Sequence, residues 1–373
     1  MEKHVKRFLL LFIMMVMLFF STFSFAAKEE LIQMAILLDT SGSMEGLIDQ
    51  AKSQLWKIVN ELALAKKNGK SPKLEVALYE YGKQSIPASE GYLRMIEPLS
   101  TDLDKISEEL FKLTTYGGNE YCGMVIKAAT NGLRWSRSNK VLKVVFIAGN
   151  EPFTQGQVDY KKTCKDAISK GIIVNTIFCG NHLEGIRTKW KDGADLADGK
   201  YTSIDHNQKI AYIKAPQDEE IVKLGNELNN TYIAYGRKGE KKKVRQSRQD
   251  GLAASMSKES IVQRSVAKAS KQYVNTGWDL ADAVENESIN LDEIKDNDLP
   301  KEMRGMNKKE KEEYIKMKVE KRKDLQKRIN KLNKERRQYI AEEMKKRSKK
   351  NTLDLAIIKT VREQALNKNY KFE

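Results

Sequence analysis

Hydrophobic patterning in the first two-thirds of the chain switches repeatedly between two periods. Near-continuous apolar runs at Met34–Leu38, Val141–Ala148 and Ile172–Phe178 have the pattern of strands buried on both faces of a parallel sheet. Between them, apolar residues recur at three- and four-residue steps, as at Leu47, Ala51, Leu55, Ile58 and Leu62, which predicts a helix over Leu47–Ala65. The same spacing predicts helices over Asp102–Leu113, Tyr121–Trp135, Val158–Lys170 and Asp218–Leu228. Leu74–Tyr81 reads as a strand with Leu74, Val76 and Leu78 on one face, and Tyr92–Ile96 as a short edge strand returning antiparallel to it. Tyr201–Ile204 and Thr231–Tyr235 are short strand candidates. Strands alternating with helices predict an α/β fold, a doubly wound, mostly parallel six-stranded sheet over residues 27–240.

Beyond it the pattern changes. Arg237–Arg248 reads as a basic, glycine-containing linker, followed by helical spacing at Gly251–Tyr273 and Trp278–Val284, so 241–299 is a helical linker region. Residues 300–373 read as a basic long-helix region. Lys308–Lys350 contains neither Pro nor Gly, and Leu325, Ile329, Leu332, Tyr339 and Ile340 fall at helical steps. This predicts an all-α, partly coiled-coil C-terminal region with a surface for a partner helix or for self-association. Thr352–Ala365 is a last amphipathic helix candidate.

Residues 1–26 stand apart from this patterning. Lys3, Lys6 and Arg7 precede an unbroken apolar run, Phe8–Phe20, and Ser24-Phe25-Ala26 supplies small residues for cleavage near Ala26. The 13-residue run is shorter than a bilayer-spanning helix. The segment reads as a signal peptide, with an uncleaved anchor as the alternative. It predicts export to the periplasm or cell surface.

The net charge of +16 points toward acidic partners or surfaces. It is concentrated between Lys301 and Lys350, where 21 Lys and Arg face 9 Asp and Glu. Export and the lack of interleaved aromatics argue against nucleic acid, leaving an anionic envelope surface as the expected target of the basic helices. With only His4, His182 and His206, a multi-histidine zinc site or a Ser-His-Asp triad is improbable. Gly69-Lys70-Ser71 lacks the first glycine of a phosphate loop, position 64 being Leu. No enzyme is expected. Cys122, Cys164 and Cys179 allow one disulfide in an exported protein, and Cys122–Cys179 would brace the ligand-binding edge; the pairing is open, as is the fully reduced state.

The candidate chemistry sits where the first buried strand ends, at Asp39-Thr40-Ser41-Gly42-Ser43. Ligands of such sheets bind at the carboxyl ends of strands, and alternate residues of this loop offer oxygen, the ligand of hard divalent cations. The D-x-S-x-S pattern resembles the metal-ion-dependent adhesion site of the von Willebrand factor A family. The order of elements is similar over roughly 200 residues, and Ala194–Tyr201 resembles that family's late helix–glycine–strand corner. FIAGNEPFTQG (Phe146–Gly156), TYGGNEYCG (Thr115–Gly123) and VNTIFCG (Val174–Gly180) resemble a group of exported bacterial proteins carrying this domain.

The resemblance implies a Mg²⁺ site, with Ca²⁺ or Mn²⁺ as alternatives, formed by Ser41 and Ser43 directly and by Asp39 mostly through metal-bound water. It also implies a protein partner that offers an acidic side chain at the metal edge. Asn119 stands where the family's second loop has threonine, and Glu120 follows it. The third loop reads Ala148-Gly149-Asn150-Glu151, with Gly149 near the place of the usual aspartate. Asn119, Glu120, Asn150 and Glu151 are therefore the expected completing ligands. The alternative is a structural envelope scaffold in which the metal site is degenerate and the basic helices do the binding.

Overall fold

A computed structural model describes residues 30–204, 212–346 and 353–372; residues 1–26, read above as a signal peptide, and His206 lie outside the described residues. The first strand, β1 (Leu31–Asp39), is buried along all nine residues, as its apolar run requires. The chain continues through α1 (Ile48–Leu62), β2 (Ala65–Lys66), β3 (Lys73–Tyr81), β4 (Leu93–Ser100), α2 (Leu103–Lys112), α3 (Cys122–Gly132), β5 (Leu142–Gly149), α4 (Tyr160–Ser169), β6 (Ile172–Cys179), α5 (His182–Arg187), α6 (Trp190–Asp195) and β7 (Tyr201–Ile204). The six-stranded sheet has the order β4-β3-β1-β5-β6-β7. Only β4 runs antiparallel to its neighbour.

Alternate residues of the strands feed two cores. Ile32, Met34, Ile36 and Leu38 pack with α1 and α2, and Ala35 and Leu37 with α3 and α4. The sheet is thus covered on both faces, as its apolar strands demand.

The remaining helices are α7 (Asp218–Asn229), α8 (Gly239–Met256), α9 (Lys258–Lys268), α10 (Leu280–Glu285), α11 (Lys308–Lys346) and α12 (Leu353–Leu366), followed by β8 (Lys371–Phe372). Helix α12 returns to the sheet: Ile357, Val361 and Ala365, with Tyr370, join the core formed by β1 and α1. Tyr370 Oη donates to the Leu31 carbonyl at 2.6 Å, and the Gln364 and Asn175 amides exchange hydrogen bonds at 2.7 and 3.0 Å. Finally, β8 pairs with β2, Ala65 opposite Phe372. The helical segment 212–346 is therefore an insertion between the last strand of the large sheet and the helix that covers it.

That insertion has apolar clusters of its own, around Leu224, Val262, Trp278 and Ile329 and around Leu280, Met303 and Ile315. It is bolted to the α/β layer by ions. Arg264 on α9 reaches Asp104 on α2 at 2.6 Å and Asp250 on α8 at 2.8 Å, and Lys268 also pairs with Asp250. These groups are all buried, where losing one partner would strand a charge.

Several expectations change here. Thr231–Tyr235 is not a strand; one isolated bridge, Ala234 to Asp279, stands there, because the Asp279 carboxylate takes the Ile233 amide at 2.6 Å. Most of the expected linker Arg237–Arg248 is helical, within α8. Arg245 forks onto Asp102 with both contacts at 2.6 Å, and Gln246 and Gln249 are buried. Gly251–Tyr273 is not one helix, since extended Ser257 ends α8 and its hydroxyl caps α9 at 3.0 Å. Of the α11 seam read as a coiled-coil surface, Leu325 and Ile329 are buried within the chain, together with Ile315 and Val319, against α7, α9 and α10, while Leu332, Tyr339 and Ile340 are half-buried.

Because α12 completes a core that begins at residue 31, a substitution near the chain end should act like one in the central strand. Ile357→Ala should cost about 3 kcal/mol, measured by urea unfolding, in a single transition shared with the sheet. A loss below 1 kcal/mol, or separate melting of the C-terminal segment, would contradict this packing.

Candidate metal centre

Three loops meet at the carboxyl edge of the sheet. Register places Asp39 beside Tyr81 of β3, and Leu38 beside Ala148 of β5. The Thr40 amide donates to the Tyr81 carbonyl at 2.8 Å, and the Tyr116 amide to the Thr40 carbonyl at 2.9 Å, laying the second loop on the first. The Ser41 amide donates to Asp39 Oδ1 at 2.7 Å. The Ser41 and Ser43 hydroxyls are 2.9 Å apart. Ser43 Oγ donates to Asn150 Oδ1 at 2.9 Å, while Asn150 Nδ2 donates to the Ser43 carbonyl at 3.0 Å. The Glu120 amide donates to Gln155 Oε1 at 2.7 Å, joining second and third loops. The Ser41 hydroxyl lies close enough to favour the charged form of both the Asp39 and the Glu120 carboxylates.

The charge of this cluster is uncompensated. Asp39 is fully buried, and its Oδ2 has no hydrogen-bond partner among the described residues. Burial above all, opposed by the Ser41 amide and reinforced by Glu120, pushes its carboxyl up to about 8. Glu120, 5% exposed, is pushed up to about 7, again chiefly by burial, with the Ser41 hydroxyl opposing and Glu151 adding to the rise. No Lys or Arg among the described residues forms an ion pair with either, and none figures among the largest influences on them. Among the described residues no three His, Cys, Asp or Glu side chains gather as a metal site, so the cluster depends on its hydroxyls and on Asn150 as well. An orphaned buried carboxylate oxygen beside two hydroxyls and a second carboxylate suits a small, hard divalent cation.

Of the sequence candidates, Asp39, Ser41, Ser43, Glu120 and Asn150 come together. Glu151 stands beside them, half-buried, its carbonyl accepting from Trp190 Nε1 at 2.7 Å. Asn119 lies exposed on the rim, with no side-chain hydrogen bond into the cluster among those described. The residue missed by sequence reasoning is Tyr81. A Cβ at Gly149 would meet Tyr81 Oη at 2.5 Å and Asp39 Oδ2 at 3.0 Å. The tyrosine, its hydroxyl donating to the Ala148 carbonyl at 3.0 Å, thus fills the space a third-loop side chain would enter. Aligning β1 and β3 by their ends would have flagged it, since both stop at the same level. Gly82 follows with φ +80°, and a Cβ there would meet Asp39 Oδ1 at 2.6 Å; only glycine clears the carboxylate.

The cysteines do not brace this edge. Cys122, Cys164 and Cys179 are free and buried. Cys122 and Cys179 belong to cores on opposite faces of the sheet, which keeps them from pairing. Burial pushes all three thiols up, Cys164 to about 12, so none is an activated nucleophile.

Two predictions follow from the electrostatics and the packing. Asp39 and Glu120 hold protons in the metal-free fold that the unfolded chain releases near pH 4. Their contribution to stability is therefore full at low pH and is lost as pH rises through 7 and 8. Thermal melts of metal-stripped protein should show Tm falling from pH 6 to 9, and Asp39→Asn should flatten the curve and stabilise the metal-free protein at pH 9 by about 2 kcal/mol or more. A wild-type Tm that rises over that range would refute the assignment. Gly149→Asp, which restores the family's aspartate, should destabilise by about 1–3 kcal/mol, and Tyr81→Phe in the same chain should recover part of that loss in the same melts.

Among known proteins, the von Willebrand factor type A domain family matches residues 33–187. No curated protein matches the chain. Solved structures similar to it include the conserved hypothetical protein BatB from Bacteroides thetaiotaomicron, 16% identical over 47% of this chain and 90% of that one, with a TM-score of 0.36. The SpRpn10 VWA domain is 16% identical over 48% and 90%, with a TM-score of 0.38. Proximal thread matrix protein 1 from the mussel byssus, with its MIDAS motif occupied by zinc, is 13% identical over 48% and 42%, with a TM-score of 0.35. Sequence match, sheet order and the loop that follows β1 agree: this chain carries a von Willebrand factor type A domain.

Proposed function

We propose that this chain is an exported, non-catalytic binding protein whose von Willebrand factor type A domain holds a divalent cation, Mg²⁺ before Ca²⁺ or Mn²⁺, and presents it to an acidic side chain of a protein partner. One observation carries the reading: Asp39 and Glu120 are buried at the sheet edge without a cationic side chain, Asp39 Oδ2 is unpartnered, and the Ser41 and Ser43 hydroxyls stand beside them. Ser41, Ser43, Asp39, Glu120 and Asn150 would hold the ion. The exposed Tyr116, 58% accessible on the second loop, gives a partner apolar surface next to it.

A second reading has an observation of its own. Glu120 offers the carboxylate that Gly149 does not, so two carboxylates from the chain would balance one divalent charge and leave less demand for the partner's acid. The cation would then be structural, and binding would pass to the basic helices, where Lys316, Lys321, Lys327, Lys331 and Lys334 line the exposed side of α11. That side suits an anionic envelope surface. Export itself is proposed from residues 1–26; among the described residues no helix is long and apolar enough to cross a membrane.

Isothermal titration of metal-stripped chain with Mg²⁺, Ca²⁺ and Mn²⁺ tests the centre. We expect one ion per chain, with affinity lowered by about tenfold or more in the Ser41→Ala, Ser43→Ala double variant. Heats equal in the two proteins, or none in folded wild type, would overturn the reading. Fractionation separates its two forms: envelope association abolished by chelator supports metal-dependent capture, while association that survives chelator and is lost at high salt supports the scaffold.

A further inference from the structure

Away from the metal edge, where the insertion meets the α/β layer, α1, α9, α11 and α12 enclose an open cavity of about 290 Å³. This is close to the lower size of small-molecule sites. Its wall is mostly apolar, with Leu64, Val266, Ile340, Met344 and Ile358 exposed to it. Two polar groups on that wall are unpartnered: Arg362 Nη2 and Asn60 Oδ1 are both buried without a hydrogen bond. Buried polar groups are generally paired; of the fourteen described side-chain atoms that are not, these two belong to residues lining this cavity.

The charge at the cavity favours an anion. Arg362 Nε contacts Glu61 at 2.6 Å, and Arg337 stands 3.6 Å from the same carboxylate. Two guanidinium groups thus share one acid. Lys57 pairs with Glu259 at 2.9 Å and Arg336 with Asp218 at 2.6 Å. Two acids line the cavity: Glu259, paired with Lys57, and Glu61, whose carboxyl burial raises despite Arg362, which weakens its repulsion of an incoming anion.

We infer that this cavity binds a single-headed anionic amphiphile, a carboxylate or phosphate monoester on an apolar body. The head meets the exposed part of the Arg362 guanidinium and Arg337, a small turn of the Arg362 and Asn60 side chains would bring their unpartnered atoms to it, and the body lies along Ile340, Met344 and Ile358. Arginine suits such heads because its fork can serve two acceptors at once. The surface is built by α1 and α12 of the metal-binding domain together with α9 and α11 of the insertion, so an occupant would strengthen their union. This inference does not depend on the metal centre.

The test uses the full chain without its N-terminal 26 residues and three probes below their micelle concentrations: decanoate, decyl phosphate and decanol. Titration calorimetry should show one site for either anion, with decanol about tenfold or more weaker. Arg362→Gln should weaken both anions by about tenfold or more and leave decanol unchanged. Ala341→Trp, a change at an exposed position on the cavity mouth, should block all three, and both variants should keep the cooperative thermal unfolding of the unchanged chain. Preference for decanoate would assign a free carboxylate, and for decyl phosphate a phosphate head. Decanol binding as well as the anions, or anion binding undisturbed by Ala341→Trp, would overturn the inference.

Discussion

Burying a carboxylate in a low-dielectric interior demands a counter-charge or a proton, and Asp39 is held at the end of a strand with no exposure at all. The chain has 67 Lys and Arg and uses them elsewhere for this purpose. Asp104 and Asp250 face Arg264, Asp279 and Asp282 face Arg322, and Asp218 faces Arg336. Only at the sheet edge do two neighbouring buried acids, Asp39 and Glu120, lack one among the described residues. In a protein this rich in cations, that omission is selective, and it marks the place where a cation from outside the chain belongs.

The position of Asp39 depends in turn on β1 being central, and that requires cover on both faces. One face is closed early, by α3 and α4. The other is finished only when α12 returns and Tyr370 bonds to the Leu31 carbonyl. Everything between β7 and α12 must fold within a loop whose ends are fixed by the same sheet. The buried Arg264–Asp104 contact shows how the insertion meets that constraint: it docks on α2 through an ion pair of defined geometry rather than through apolar contact alone. Such pairs add little net stability, and breaking one strands a charge, so they specify how the layers meet.

The sheet was legible because three of its strands are nearly continuous apolar runs, and helix spacing between them left one fold class. The first loop was legible because its spacing of oxygens follows directly from a strand end. The helical insertion was less so. A basic stretch such as Arg237–Arg248 carries little apolar signal, and its helix is held by Arg245 on Asp102 and by Gln249 under the Ser107 hydroxyl, contacts between residues more than a hundred positions apart. The seam of α11 was visible as a seam, but a periodic stripe does not say whether its cover comes from another chain or from α7, α9 and α10. Tyr81 went unnoticed for a related reason: alternation assigns a face, whereas its role comes from register with Asp39.

Tyr81, Gly149 and Glu120 make sense only together. An aspartate at Gly149 would have set a third carboxylate against Asp39 and Glu120, with repulsion magnified by burial. Removing it alone would have left a void beside Asp39 Oδ2. Tyr81 fills that volume without charge and directs its hydroxyl to the Ala148 carbonyl, so no donor is left unsatisfied. Glu120 then keeps the number of buried carboxylates at two, supplied from the second loop instead of the third. The change moves negative charge around the centre without adding to it. For a cation held there, Asp39 and Glu120 would supply the charge and Ser43 and Asn150 the neutral oxygens on the less buried side of the cluster.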